Sequence, residues 1–154
     1  MTAKFQIELV DEQTALKIDF ERMKRVVTKI FTDAGYDRVT LEIAVVESAP
    51  MHEMNVQFLG HDYPTDVLAF PLEDDAARGR FVGNIVVCSD VAIDLAKDYN
   101  WSAEDELLLY VTHGALHLVG YDDHAPEDAP IMHAKEREYL AYVGVDASHS
   151  REGE

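Results

Sequence analysis

The residues best suited to chemistry lie in one stretch, residues 113–124, which reads HGALHLVGYDDH. His113 and His117 are four positions apart, and on an α-helix this spacing places both side chains on one face, one turn apart. Gly120 offers a position at which the helix can end and the chain can turn back. Two imidazoles from a helix and one ligand from the following turn form a three-point site with an open fourth position. A catalytic zinc ion requires this arrangement.

Candidates for the third ligand follow the turn directly: Asp122, Asp123 and His124. Carboxylate oxygen and imidazole nitrogen both bind zinc. The alternative is a pair of structural histidines that are hydrogen-bonded in the core. We favour the metal site because the pair lies in the most apolar helix predicted for this chain, where two imidazoles without partners would be costly to bury.

Gly114 separates this stretch from a peptidase motif with the same histidine spacing. In that motif a glutamate follows the first histidine and serves as the general base. Gly114 stands at that position, so a metallopeptidase would lack its base. Glycine inside a helix costs about 1 kcal/mol relative to alanine. We therefore expect Gly114 to provide space beside the metal or close packing at that point.

Hydrophobic periodicity predicts an α+β fold, a small mixed sheet of about four strands packed with about five helices. The predicted strands are 5–10, 39–46, 64–71 and 83–88, the predicted helices are 20–34, 51–58, 89–99, 103–119 and 127–142, and 74–80 is a charged loop. Ser102 and Asp105 resemble a capping box at the start of the fourth helix. That helix is apolar nearly all round from Leu107, so we expect it to be buried centrally and to carry both histidines.

The length of 154 residues and a hydrophobic content of 47% indicate one domain, residues 1–145, followed by a polar tail, 146–154. No apolar run approaches the length of a membrane span, and the N-terminus does not resemble a signal peptide. Cys88 is the single cysteine, so no intrachain disulfide can form. We therefore expect a reducing, cytoplasmic location.

The net charge limits the partners of this chain. Thirteen Lys and Arg residues against thirty Asp and Glu residues give a formal charge of −17. Such a surface repels polyanions, whereas a general nucleic-acid-binding module shows a basic face. A role with nucleic acid would therefore depend on a local site, a bound cation or a partner protein.

Residues 113–122 resemble the signature of the YbeY family, the single-strand-specific endoribonucleases of ribosomal RNA maturation. Further blocks follow the order of the family and extend the similarity from about residue 41 to residue 142. These blocks are Met54-Asn55, Phe58, Asp62, residues 64–71 (PTDVLAFP), residues 83–87 (GNIVV), Met132 and Glu136. The resemblance implies a compact α+β domain that hydrolyses RNA phosphodiester bonds. It also implies one zinc ion and, as partners, single-stranded ribosomal RNA and small-subunit ribosomal or assembly proteins.

The resemblance implies zinc ligands at His113, His117 and one turn residue. The family places its third histidine ten residues after the first, and here that position is Asp123. His124 comes one residue later and would require a bulge. We favour Asp123 on register and retain His124 because imidazole is a common zinc ligand. An aspartate would lower the charge of the site by one and weaken the metal as a Lewis acid.

Leu59 stands where the family generally has an arginine that is thought to contact the RNA phosphate. We expect Arg78 or Arg80 from the charged loop to replace it, or else activity is altered. In the second case the chain would be a ribosome-assembly factor with a structural metal and weak or no catalysis. Another metal-dependent hydrolase is a further alternative.

Catalytic roles are expected for His113, His117 and Asp66. Asp66 and Thr65 lie at the mouth of a strand that would flank the site, where the alternative role is turn hydrogen bonding. Asp122 is expected to orient a ligand imidazole or to serve as an ordinary turn residue. For Asn55 we favour a structural role over contact with the substrate.

Overall fold

Strands and helices occur close to their predicted positions in the computed structural model, which describes residues 3–60, 66–122 and 125–147. The strands are β1 (Lys4–Asp11), β2 (Arg38–Val46), β3 (Val67–Asp75) and β4 (Arg80–Cys88). The α-helices are α1 (Phe20–Asp33), α2 (Ser48–Leu59), α3 (Ser89–Tyr99), α4 (Ala103–Leu118) and α5 (Ala129–Tyr142). The predicted α+β class, with about four strands and five helices, is confirmed by these described elements.

The sheet has the strand order β1-β2-β4-β3. Strands β1, β2 and β4 are parallel, whereas β3 pairs antiparallel with β4 as a hairpin. Alternate residues of β2 and β4, among them Leu41, Ile43, Phe81 and Ile85, point into the main core. The buried faces of α1 and α4 belong to the same core, so these two helices cover one face of the sheet.

The predicted loop at 74–80 is wrong at both ends. Strand β3 continues to Asp75 and β4 begins at Arg80, so only the short 3-10 turn Ala76–Arg78 and Gly79 join them. β3 runs through Pro71 because it is an edge strand, where proline is tolerated, and its register shifts just after Pro71. Gly79 adopts a left-handed φ of 68° that closes the hairpin.

Helix α4 is the central helix, as predicted. The side chain of Ser102 accepts a hydrogen bond from the backbone N–H of Asp105 at 3.1 Å, which satisfies a free donor of the first turn. From Glu106 to Leu118 every residue is buried except His113 and His117. Beyond the first turn of α4, the two imidazoles are therefore the points at which this helix meets solvent. Among the described residues, no helix is both long and apolar enough to cross a bilayer.

Gly114 allows α4 to lie close to the sheet. A Cβ atom at this position would be 3.1 Å from Cγ2 of Ile85 on β4 and 3.2 Å from Cγ2 of Val67 on β3. Both distances are shorter than ordinary van der Waals contact between carbon atoms. The close packing expected from the sequence is thus present, and it holds the residue after His113 against two strands.

Replacing Gly114 with valine should test this packing. The added side chain has no free volume, so we expect Gly114→Val to lower the free energy of unfolding by about 1–3 kcal/mol. Urea denaturation measures this difference. The control is Ala134→Val, which adds a branched side chain at an exposed position of α5. An equal, small effect of both substitutions would contradict the tight contact at Gly114.

Candidate metal centre

The imidazoles of His113 and His117 face each other across one turn of α4. Their Nε2 atoms are 3.0 Å apart, and their ring planes are inclined at 79°. Two nitrogen lone pairs at this distance repel each other unless a proton or a cation lies between them. The i, i+4 spacing has therefore brought two nitrogen donors to one point, as the sequence predicts.

Glu136 on α5 orients the ring of His113. Its Oε1 lies 3.1 Å from Nδ1 of His113, and its side chain is 1% exposed. An ionised carboxylate only accepts hydrogen bonds, so Nδ1 of a neutral His113 carries the proton and donates it to Glu136. The lone pair is then on Nε2, which faces His117. A buried carboxylate behind a histidine is the usual support of a metal-binding imidazole.

The role of Glu136 was not foreseen from the sequence. The resemblance placed this residue only on the C-terminal helix, and the 23 positions that separate it from His113 carry no periodic pattern that links them. One feature could have indicated this role. Glu136 lies on the buried face of α5, and a fully buried carboxylate requires a hydrogen-bonding or charged partner.

The two nitrogen donors fit a zinc ion. With zinc–nitrogen bonds of about 2.0–2.1 Å, two donors of a tetrahedral site lie about 3.4 Å apart. The observed 3.0 Å is close to that separation. Both candidates for the third ligand, Asp123 and His124, lie outside the described residues. Among residues that are described, no three His, Cys, Asp or Glu side chains come together as a possible metal-binding group.

Asp66 lies where the sheet meets α4. Its backbone carbonyl accepts a hydrogen bond from the N–H of Cys88 at 3.0 Å, which joins the start of β3 to the end of β4. The next residue, Val67, packs against α4 at Gly114. Asp66 is half-buried, and its neighbour in the chain, Val67, contacts α4 one residue after His113. Thr65, the other polar residue expected here, lies outside the described residues.

The turn after α4 begins as predicted. Gly120 has a φ of 110°, and its N–H donates to the carbonyl of His117 at 3.1 Å. The N–H of Tyr121 donates to the carbonyl of Leu116 at 3.0 Å, which completes the helix end. Asp122 is exposed directly after this turn. Its expected role in orienting a ligand remains a prediction.

Asn55 lies inside helix α2, and its structural role remains a prediction. It is fully buried in α2, and its Nδ2 donates to the carbonyl of Met51 at 2.8 Å.

The end of α2 is exposed. Leu59 is the last residue of this helix, and 48% of its surface is exposed. Phe58 beside it is 56% exposed and packs edge-on against Phe70 of β3 at 5.4 Å. The end of α2 therefore presents an apolar surface to solvent.

Of the two alternatives expected for position 59, replacement of the family arginine by Arg78 or Arg80 does not fit the structure, whereas altered activity stays a prediction. Both lie at the hairpin end of β4, whereas Val67 pairs with Val87 at the opposite end. Seven residues of strand separate Arg80 from Val87, about 23 Å. Arg80 instead pairs with Glu73 at 3.6 Å, and Arg78 pairs with a neighbouring aspartate at 3.8 Å. Neither side chain can reach a phosphate beside His113.

A double-mutant cycle should measure the coupling between His113 and Glu136. Removing either partner leaves the other polar group buried without it, whereas removing both leaves an apolar contact. We therefore expect His113→Leu and Glu136→Leu each to destabilise the metal-free protein, and the double variant to lose about 0.5–3 kcal/mol less than their sum. Urea denaturation with a chelator present provides the free energies. His113→Leu combined with Glu138→Leu, a glutamate exposed on the same helix, should be additive. Additivity in the first cycle would contradict the coupling.

The chain is similar in sequence and in structure to a known family. The family profile described as Endoribonuclease YbeY matches residues 8–144. A relative of that name from Rhodopirellula baltica is 38% identical over 73% of this chain, although the chain spans only 58% of that relative. One from Finegoldia magna is 34% identical over 92% of this chain and 88% of its own length. One from Sulfurovum is 34% identical over 92% and 93%.

A solved structure supports the same assignment. The solution structure of a protein from Thermotoga maritima covers 90% of this chain and 89% of its own, with a TM-score of 0.64 and 33% sequence identity. The resemblance inferred from the histidine motif and the strand blocks is thus confirmed over nearly the whole chain. This chain belongs to the endoribonuclease YbeY family.

Proposed function

We propose that this chain is a zinc-dependent endoribonuclease that cleaves single-stranded RNA during ribosomal RNA processing. Hydrolysis of phosphodiester bonds in RNA is the activity of its family. The observation that supports metal dependence is the pair of Nε2 atoms of His113 and His117, 3.0 Å apart at the point where the buried helix α4 meets solvent.

The residues proposed to hold the metal are His113, His117 and either Asp123 or His124. Imidazole nitrogen suits zinc among the available metals. A zinc ion held by these residues would lower the pKa of water and would offset negative charge on a phosphate oxygen. Glu136 supports this assignment because its hydrogen bond fixes the Nδ1–H form of His113, whose Nε2 then faces the site.

Asp66 is proposed as the group that takes up the proton from water. In the hydrolysis the oxygen of water bonds to phosphorus, the P–O bond to the departing ribose oxygen breaks, and that oxygen gains a proton. The proposal is supported by the position of Asp66 in the chain, directly before Val67, whose side chain packs on α4 at Gly114 beside His113. A carboxylate is a suitable acceptor for the proton that water loses.

The net charge of −17 supports a role for a partner in delivering the RNA. Long-range attraction cannot bring a polyanion to this surface. We therefore propose that a small-subunit ribosomal protein or an assembly protein brings the ribosomal RNA close, in the cytoplasm. The acidic surface then disfavours RNA that is not presented in this way.

Removal of one ligand should abolish cleavage. We expect zinc-loaded wild-type protein to cleave a labelled single-stranded RNA and to leave a duplex intact. His117→Ala should lower kcat/KM by on the order of 100-fold or more, because the metal loses a nitrogen donor. Metal analysis of the same samples should show reduced zinc content. His133→Ala on α5 is the matched control and should retain both zinc and activity. Equal residual cleavage by wild type and His117→Ala would eliminate the zinc mechanism.

Leu59 favours one alternative function, a ribosome-assembly factor with a structural metal and little catalysis. The side chain is apolar and 48% exposed at the end of α2, and neither Arg78 nor Arg80 reaches the site. A phosphate contact that relatives are thought to make through an arginine is therefore not made by these residues. The metal and the fold would be retained in such a factor while the rate of cleavage fell.

Restoring an arginine at position 59 distinguishes the two functions. A guanidinium that contacts the phosphate contributes about 1.5–3 kcal/mol, so Leu59→Arg should raise kcat/KM by about 10-fold or more. Val56→Arg is the matched control, since Val56 is 51% exposed on the same helix and gains the same charge. A gain in Leu59→Arg from an inactive wild type would favour the assembly factor. Equal gains in both variants would show a general charge effect and contradict a specific contact at position 59.

A further inference from the structure

Cationic residues are concentrated in one short segment of this acidic chain. Residues 17–29 contain five of the thirteen Lys and Arg residues and only two of the thirty Asp and Glu residues. The segment therefore has a formal charge of +3, against −20 for the rest of the chain. Most of it forms α1, so the positive charge is fixed on one helix.

A groove with a volume of about 390 Å³ runs between the outer face of α1 and the end of α5. Three cations, one carboxylate, two threonines and one tyrosine line it: Lys24, Arg25, Lys29, Glu21, Thr28 and Thr32 of α1, and Tyr142 of α5. The guanidinium of Arg25 and the ammonium of Lys29 each lie 5.6 Å from the centre of the Tyr142 ring. Tyr142 is nevertheless 49% exposed, so part of this aromatic residue remains accessible beside the two cations.

Two of the three cations of the groove, Arg25 and Lys29, are available to an anionic ligand, whereas Lys24 pairs with Glu21 at 3.6 Å. Arg25 is exposed, and among the described residues no carboxylate forms an ion pair with it. Lys29 pairs with Asp33 at 3.1 Å, but both side chains are partly exposed, and such a pair contributes only about 0.2–1 kcal/mol. Arg22 differs because Asp19 and Asp105 each hold it at 3.1 Å.

The groove is held in shape by a contact between its two helices. The hydroxyl of Tyr139 on α5 donates to Oδ2 of Asp33 on α1 at 2.8 Å. Burial acts to raise the pKa of Asp33, but the hydrogen bonds from Tyr139 and Lys29 outweigh it and keep the pKa below its ordinary value. The carboxylate therefore remains ionised at neutral pH and keeps α1 and α5 together without a ligand.

We propose that the α1–α5 groove binds the phosphate backbone of the single-stranded RNA, with Arg25 and Lys29 on phosphates and the Tyr142 ring against a nucleobase. A positive groove with an exposed aromatic ring is the usual surface for single-stranded nucleic acid. The groove also shares α5 with the metal centre, since Tyr142 is six residues, about 9 Å, beyond Glu136. The choice of RNA as ligand depends on the function proposed above.

Charge reversal in the groove tests this surface. Binding of a labelled single-stranded RNA is measured by fluorescence anisotropy, with a chelator present to prevent cleavage, over a series of salt concentrations. We expect Arg25→Glu combined with Lys29→Glu to weaken binding at least 10-fold. The slope of log K against log salt should fall by about 1.4, because two phosphate contacts are lost. Tyr142→Ala should weaken binding further than Tyr142→Phe, which keeps the ring.

The matched control carries the same charge change elsewhere. Lys4→Glu combined with Lys97→Glu alters two exposed lysines outside the groove. We expect it to leave the affinity within a few-fold of wild type and the salt slope unchanged. Equal weakening by both double variants would reduce the effect to general repulsion and overturn the proposed site. An unchanged affinity in the groove variant would overturn it as well.

Cleavage assays separate this proposal from the proposed function. A dinucleotide has a single phosphodiester, which must lie at the metal centre to be cleaved and leaves no phosphate for the groove, so wild type and the groove variant should cleave it equally. Longer RNA should be cleaved more slowly by the variant. If wild type cleaves no RNA, the proposed activity fails whatever the groove binds. If both proteins cleave long RNA alike, only the groove proposal fails. Sedimentation of wild type and the groove variant without RNA tests another occupant of the groove. If wild type is a dimer and the variant is a monomer, the groove binds the acidic surface of a second copy, and the RNA proposal is overturned.

Discussion

The close approach of α4 to the sheet is the constraint on which the rest of this structure depends. α4 carries both imidazoles, and its position is set by Gly114, where a Cβ would lie 3.1–3.2 Å from Ile85 and Val67. A side chain there would require Ile85 and Val67 to shift beside His113. The same contact accounts for a glycine in so apolar a helix: its cost of about 1 kcal/mol in helix propensity accompanies packing in which even a Cβ would lie closer than ordinary van der Waals contact.

Burial of Glu136 follows from that position of α4. A carboxylate in the core would be strongly unfavourable alone, and its hydrogen bond to His113 compensates part of that cost. The hydrogen bond between His113 and Glu136 has two effects. It stabilises the buried carboxylate of Glu136, and it leaves Nε2 of His113 as the nitrogen that faces outward. A substitution of Glu136 would therefore change both the packing of α5 in the core and the orientation of the His113 imidazole.

Much of this arrangement could be predicted from the sequence because it depends on local patterns. The spacing of His113 and His117, the cap at Ser102 and the turn at Gly120 each involve residues within one or two helical turns. The length of β3 could not be predicted, since Pro71 is acceptable only in an edge strand, and the order of strands is a property of the whole sheet. The contact between Glu136 and His113 could not be predicted either, because it joins two helices at residues 23 positions apart and depends on how those helices pack.

The distribution of charge connects the fold to the function. A chain of −17 that acts on RNA must confine its attraction for phosphate to a few places, and the two that we propose are the metal site at His113 and His117 and the groove that contains Arg25. Arg78 and Arg80 are excluded because they lie at the hairpin end of β4 and pair with acidic neighbours. With these two proposed sites, the surrounding acidic surface would contribute to specificity, because an RNA that cannot enter both at once would meet mainly repulsion. A duplex is stiffer and more highly charged than a single strand, and such a surface would disfavour it most.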